Sequence, residues 1–203
     1  NVMGMTKALM EKTSIAYSKK QNIPTKINIV RYGNVLLSRG SVIPLFINQI
    51  KTNQDITITH EDMTRFLLPL DQAVELVAHA LINGDQGDIL IKKAISAKII
   101  DIINALQRIF DTNNKIKKIG LRHGEKINEV LATKDEMQKS FSNSRYLRIP
   151  GDKRDLNYKH FYKTGKTIDQ KKFYDYSSEK YVIKDQSKLI NLLKKELLKF
   201  NLI

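Results

Sequence analysis

Between Lys26 and Leu121, short runs rich in β-branched residues alternate with helix-length apolar patterns, and this alternation leaves few architectures open. Lys26 to Tyr32 reads as a strand that Gly33-Asn34 stops. Ser41 to Lys51 reads as a helix that tolerates Pro44 near its first turn, where the missing amide has no helical partner to lose. Ile56 to Thr59 is a short strand. Asp71 opens an amphipathic helix through about Ile82, with Asp71 as N-cap and Asn83-Gly84 as its stop. Asp88 to Lys92 and Ile116 to Leu121 are strand candidates on either side of a strongly periodic helix from Ala97 to Phe110. Alternation at this spacing predicts an α/β domain. Outside it, helices are predicted from Thr6 to about Lys20, from Glu125 to Thr133 and from about Asp185 to Phe200. Between Pro150 and that last helix Tyr158, Tyr162, Tyr174, Tyr176 and Tyr181 sit among polar residues, the pattern of a covering or oligomerising element.

Composition removes whole classes of function. With 203 residues, 41% hydrophobic and 28% charged, the chain is long enough for a real core and unlike a disordered or fibrous one. The apolar run from Ser41 to Ile50 is broken by Pro44, Asn48 and Gln49, and no window reaches the ~18 apolar residues of a membrane span. Zero cysteines exclude a disulfide scaffold, Cys-ligated zinc, an iron-sulfur cluster and a Cys nucleophile. His60, His79, His123 and His160 lack metal-ligand spacing, so no metal is expected. There is no signal-peptide pattern, and the expected location is the cytoplasm. The net charge of +14 raises nucleic acid as a partner, but its 27 Lys are scattered and its 8 Arg form no recognised reading motif. A Lys-rich solvated surface is the simpler reading, with an excess that attracts a small, doubly anionic ligand such as a nucleotide diphosphate.

Four segments concentrate the unusual residues. In Met3-Gly4-Met5-Thr6-Lys7, Met3 and Lys7 share one helix face, which by itself is only a helix start. Arg31 to Ser41 leaves a strand and enters a helix, where α/β sheets place ligands and where two glycines let a backbone come close; a plain tight connection uses the same residues. In the run Thr57 to Phe66, Arg65 lies between apolar residues and needs an anion, either a ligand or the neighbouring Glu61 or Asp62. Leu121 to Lys126 follows a strand and is expected to open a helix. Arg122 suits a bidentate phosphate contact there and Glu125 a pair of ribose hydroxyls, although Glu125 is equally a good first-turn residue. No Gly-x-Ser-x-Gly elbow and no nucleophile with a local base is present.

Taken in order, the runs Met3 to Lys12, Arg31 to Val35, Ser38 to Phe46, Met63 to Leu67, Arg122 to Lys126 and Arg154 to Tyr158 resemble the extended short-chain dehydrogenase/reductase enzymes that modify UDP-sugars for capsule and O-antigen synthesis. The resemblance is to the UDP-N-acetylglucosamine 4,6-dehydratase and 5-epimerase type, and to the similar proteins called UDP-glucose 4-epimerases. It implies the C-terminal part of a Rossmann-like α/β fold with a substrate-binding subdomain and a C-terminal extension. The implied division is 1–35 as the end of an NAD-binding domain, 36–150 as a nucleotide-sugar region and 151–203 as the extension.

By the same resemblance, Lys7 is the active-site lysine that holds the nicotinamide ribose. Met3 stands where the family usually has the acid/base Tyr, as in the inverting dehydratase branch. Arg31 and Tyr32 fall beside the cofactor. Asn34, Arg39, Ser41, Thr59, Arg65, Arg122 and Glu125 line the UDP-sugar site, the arginines on the diphosphate and Glu125 near the ribose. The implied chemistry is oxidation at C4 of the sugar by NAD or NADP, loss of water across C5 and C6, and return of the hydride. The family's glycine-rich NAD loop has no counterpart here, and the start Asn1-Val2-Met3-Gly4 reads as an N-terminally truncated fragment. The expectation is a chain that alone neither holds NAD firmly nor turns over substrate, and that works as a homo-oligomer or with a complementing N-terminal chain. A non-catalytic nucleotide-sugar-binding subunit is the remaining alternative.

Overall fold

The computed structural model describes residues 2–20, 24–151 and 169–203. The run Arg154 to Tyr158, together with Tyr162 and His160, lies outside them. The elements begin α1 (Val2–Ser18), β1 (Ile29–Arg31), α2 (Val42–Lys51), β2 (Ile56–Ile58), β3 (Thr64–Phe66), α3 (Leu70–Asn83), β4 (Ile89–Lys92) and β5 (Ser96–Lys98). They continue with α4 (Ile99–Phe110), β6 (Ile116–Lys118), β7 (Val130–Ala132), α5 (Lys134–Lys139), β8 (Phe141–Ser142), β9 (Tyr146–Ile149), β10 (Tyr176–Ser177) and α6 (Gln186–Lys199). The chain divides into two compact units.

The first unit gathers residues 1–31, 74–93 and 131–176. Its sheet runs β1-β4-β9-β8, with β1 parallel to β4 and the other pairs antiparallel. All four residues of β4 are buried, because a central strand with both faces covered must be apolar throughout; Leu90 packs with Leu76, Ala80, Tyr146 and Val30. Lys92 is the exception on that strand, and it is neutralised by Glu75 at 3.0 Å and capped by the Tyr146 ring at 4.6 Å. Helix α1 carries apolar residues on all sides and exposes Val2, Met3, Met5, Leu9, Met10 and Tyr17.

The second unit gathers residues 32–73, 94–130 and 177–203. It contains the parallel pair β2/β6 and the antiparallel pair β3/β5, packed with α2, α4 and α6. Helix α4 buries Ile99, Ile102, Ile103 and Leu106, a spacing that places all of them on one face. It ends at Asp111, which takes the left-handed conformation at φ 51°. Asp185 caps α6 by accepting from the amides of Ser187 and Lys188, and Leu189, Leu193 and Leu197 enter the core.

Three sequence expectations require correction. Helix α3 starts one residue earlier than Asp71, after Pro69, so Asp71 lies inside the first turn and accepts from the Gln72 amide. Ser96–Lys98 is strand rather than the beginning of α4. Glu125 to Thr133 forms no helix: turns lead to β7, and the short helix is α5, one step later. That helix begins with a capping box, in which Thr133 and Glu136 exchange backbone and side-chain hydrogen bonds.

Candidate functional site

Strand β3 positions the residue on which the candidate site depends. Thr64 and Phe66 point into the core and Arg65 points the other way, the period-two alternation of a half-buried strand. The strand is pinned from its buried side, where the Thr64 hydroxyl donates to Asn128 Oδ1 at 2.8 Å and lies 2.6 Å from the Ser178 hydroxyl. The Arg65 guanidinium donates through Nη1 to the carbonyls of Thr64 and Ile127, and through Nη2 to that of Lys126. Glu129 Oε1 stands 3.8 Å from Nε, beyond hydrogen-bond range. Glu61 and Asp62, the partners that sequence proximity suggested, bind Lys118 and Lys98 instead. Burial pulls the Arg65 guanidinium below its ordinary range, and the charges of Glu129 and Glu125 recover only part of the loss. A buried cation left undercompensated in this way favours an additional anion.

Arg65 opens into a cavity of about 180 Å³ that also has Ser41, Thr57, Thr59, Arg122 and Glu125 in its wall. Its floor is apolar and includes Phe46, Met63 and Ile99. Ser41 occupies the N-cap position of α2, yet its side chain makes no cap bond, and its buried hydroxyl has no hydrogen-bond partner among the described residues. An orphan hydroxyl beside the first amides of a ten-residue helix suits a phosphate oxygen. Arg122 and Glu125 come together through a tight turn: the Glu125 amide donates to the Arg122 carbonyl at 3.1 Å, and the Arg122 amide donates to Glu125 Oε2 at 3.2 Å. Gly120 and Gly124 supply positive φ values of 85° and 76° on either side of Arg122. The segment therefore folds as a turn and not as the start of a helix, because its carbonyls at 126 and 127 are taken by Arg65.

Five of the residues expected in the sugar-nucleotide site, namely Ser41, Thr59, Arg65, Arg122 and Glu125, thus line one cavity in the second unit. Asn34 and Arg39 are exposed in the loop before α2 and do not line it, and Tyr32 is exposed at the start of the unit. The same loop holds Leu37 at φ 58°, an uncommon backbone for leucine. Gly33 is required by a close approach, since a Cβ there would lie 2.3 Å from the Phe66 Cβ.

Met3 and Lys7 belong to the first unit, both exposed on α1. Arg31 belongs there too, and its donors are engaged within the protein. Its guanidinium donates twice to Glu11, twice to Glu136 and once to the Leu131 carbonyl, which spends all five N–H groups. Burial works against the charge, but the hydrogen bonds and charges of the two glutamates raise its pKa above the ordinary value. Among the described residues no group of three His, Cys, Asp or Glu side chains is placed to hold a metal ion. No helix among them is long and apolar enough to cross a membrane.

The chain is similar to known proteins. Residues 1–150 match the family described as polysaccharide biosynthesis protein, and the chain belongs to that family. A UDP-glucose 4-epimerase of Rickettsia bellii (strain OSU 85-389) is 51% identical over 167 residues, which is 81% of this chain and 49% of that protein. The corresponding protein of Rickettsia canadensis (strain McKiel) is 49% identical over 166 residues. The chain spans about half the length of these curated relatives. Among solved structures, Pen from Bacillus thuringiensis superposes with a TM-score of 0.81 at 33% identity, covering 96% of this chain and 57% of that one. UDP-glucuronic acid 4-epimerase from Bacillus cereus, solved with UDP-glucuronic acid and NAD, gives a TM-score of 0.55 at 26% identity, with 61% and 41% covered. The fold is α/β, of the Rossmann-like short-chain dehydrogenase/reductase class.

Proposed function

We propose that this chain supplies the UDP-sugar-binding portion of a nucleotide-sugar 4-epimerase acting in polysaccharide biosynthesis. The observation that carries the reading is the cavity itself: an undercompensated Arg65, a second arginine at 122, an orphan Ser41 hydroxyl at a helix start, and Glu125 within one apolar-floored site. Two cations and a helix N-terminus suit a diphosphate. Glu125 suits ribose hydroxyls as acceptor, and Thr57 and Thr59 offer polar edges to a base. Relatives named as epimerases at about half identity favour this reaction over others on the same fold. Isothermal titration of the 203-residue chain with UDP is expected to show binding that Arg65→Met and Arg122→Met each weaken. Absence of any UDP binding by the unaltered chain would remove every nucleotide-sugar reading.

A second reading, the UDP-N-acetylglucosamine 4,6-dehydratase with 5-epimerase activity, is favoured by Met3. A thioether transfers no proton, so Met3 fits the dehydratase branch better than a mechanism that relies on a Tyr four residues before Lys7. Accumulation of a 4-keto-6-deoxy product, in place of the C4 epimer, distinguishes it.

The hydride acceptor in either reaction is NAD or NADP, which supplies reversible oxidation at the sugar C4. Of the residues present, Lys7 is exposed and has no partner among the described residues, which fits a ribose contact, whereas Arg31 has no donor left to offer. We therefore assign most of the cofactor's contacts to the part of the longer relatives that this chain does not match. The 203 residues alone are expected to bind NAD weakly; tight binding in a fluorescence titration would contradict that assignment.

A further inference from the structure

Three of the five N–H groups of Arg65 are spent on carbonyls, and those left, on Nε and Nη2, donate to nothing among the described residues. Glu129 is the carboxylate beside Nε at 3.8 Å, close enough to act by charge and too far to fix the guanidinium by a bond. Glu125 lines the cavity and Glu129 does not, so the charge of Glu129 reaches Arg65 from outside the cavity wall.

The backbones of the two residues are tied together. The Glu129 amide donates to Ser178 Oγ at 2.9 Å and its carbonyl accepts from the Ser178 amide at 2.8 Å. Ser178 is in turn bound to Thr64, the residue before Arg65. One buried hydroxyl pair thus links the backbone at Glu129 to strand β3, which carries the arginine.

We propose that Glu129 is a charge-tuning residue of the ligand site: it offsets part of the field of Arg65, and weakens binding in proportion to the negative charge of the ligand. The proportionality follows from Coulomb's law, because a nearby carboxylate repels a diphosphate more than a monophosphate and a neutral nucleoside hardly at all. Removing the carboxylate leaves Arg65 in place, since three carbonyl bonds hold the guanidinium independently of it. The residue makes release of a polyanionic product easier at the cost of affinity. This inference rests on reading the cavity as a uridine diphosphate site.

The test is calorimetric titration of the unaltered chain and of Glu129→Gln with uridine, UMP and UDP at one ionic strength. Glu129→Gln is expected to bind UDP roughly three- to tenfold more tightly, UMP by a smaller factor and uridine unchanged, with the gain shrinking as salt rises. Glu129→Asp, which keeps the charge and withdraws it, is expected to move UDP affinity in the same direction by less. It also carries the test should the glutamine variant fold poorly. An unchanged or weakened UDP affinity, or an equal gain for uridine, overturns the role of Glu129 while leaving the nucleotide site standing. If the unaltered chain binds none of the three, the site reading falls and this inference with it.

Discussion

Arg31 and Arg65 are both largely buried arginines, one in each unit, and their surroundings are opposite. Arg31 faces two carboxylates and one carbonyl, with every N–H engaged and its ionised form reinforced. Arg65 faces three carbonyls, with a carboxylate out of bonding range and its ionised form penalised. Carbonyl dipoles orient a guanidinium without cancelling its charge, whereas carboxylates cancel it. The first arrangement ties α1, β1 and α5 together, and the second leaves a cation oriented but without a bonded carboxylate.

The contrast can be broken most forcefully at Arg31. Arg31→Ala leaves Glu11 and Glu136 facing each other without their cation, and is expected to cost about 3 kcal/mol in urea unfolding while leaving UDP affinity intact. Lost UDP binding in a folded Arg31→Ala chain would erase the distinction. Arg65→Met should invert the pattern: UDP affinity falls about ten- to a hundredfold, from loss of charge-assisted bonds of ~1.5 to 3 kcal/mol, with a smaller change in stability.

A pH dependence sharpens the same comparison. Burial opposes ionisation of Glu136, but hydrogen bonds from Arg31 and the Thr133 amide outweigh it, and hold the carboxyl below its ordinary value of 4.5. Since the folded value is the depressed one, this stability is fully present above about pH 4.5 and is lost as pH falls through the lower folded value. Urea midpoints measured downward from pH 5 should show that loss, and Arg31→Ala should blunt it. Smaller effects follow at the helix starts. Thr133→Ala removes one arm of the capping box and should cost about 1 kcal/mol. Ser41→Ala removes an unpartnered hydroxyl, so stability should hold while UDP affinity drops by about threefold.

How much of this was legible in the sequence depends on the range of the interaction. Helices α2, α4 and α6 follow from periodicity, because their burial repeats with the geometry of the element, and the strand at β4 follows from a short apolar run buried on both faces. The capping box at Thr133 to Glu136 was missed, and α5 lies one step after the helix expected from Glu125 to Thr133. The turn at Arg122 to Ile127 was not legible, since its carbonyls are claimed by an arginine more than 60 residues away. The protein partners of the two arginines were hidden for the same reason. Arg65 has acids three and four residues before it, yet its counter-charge is Glu129; Arg31 lies beside the loop that leads to α2, yet its partners come from α1 and α5. Site residues gathered from separate segments were legible only through the family pattern, as with Ser41, Thr59, Arg65, Arg122 and Glu125, which the fold brings to one wall.

The close approach of Gly33 to Phe66 makes position 33 a lever. Any side chain there pushes first on Phe66, the immediate neighbour of Arg65 on the same short strand. In a mutational scan, substitutions at 33 should therefore score as loss of ligand although the position touches none. The sensitivity would lie in the backbone rather than in the chemistry of the new side chain, with alanine nearly as harmful as valine.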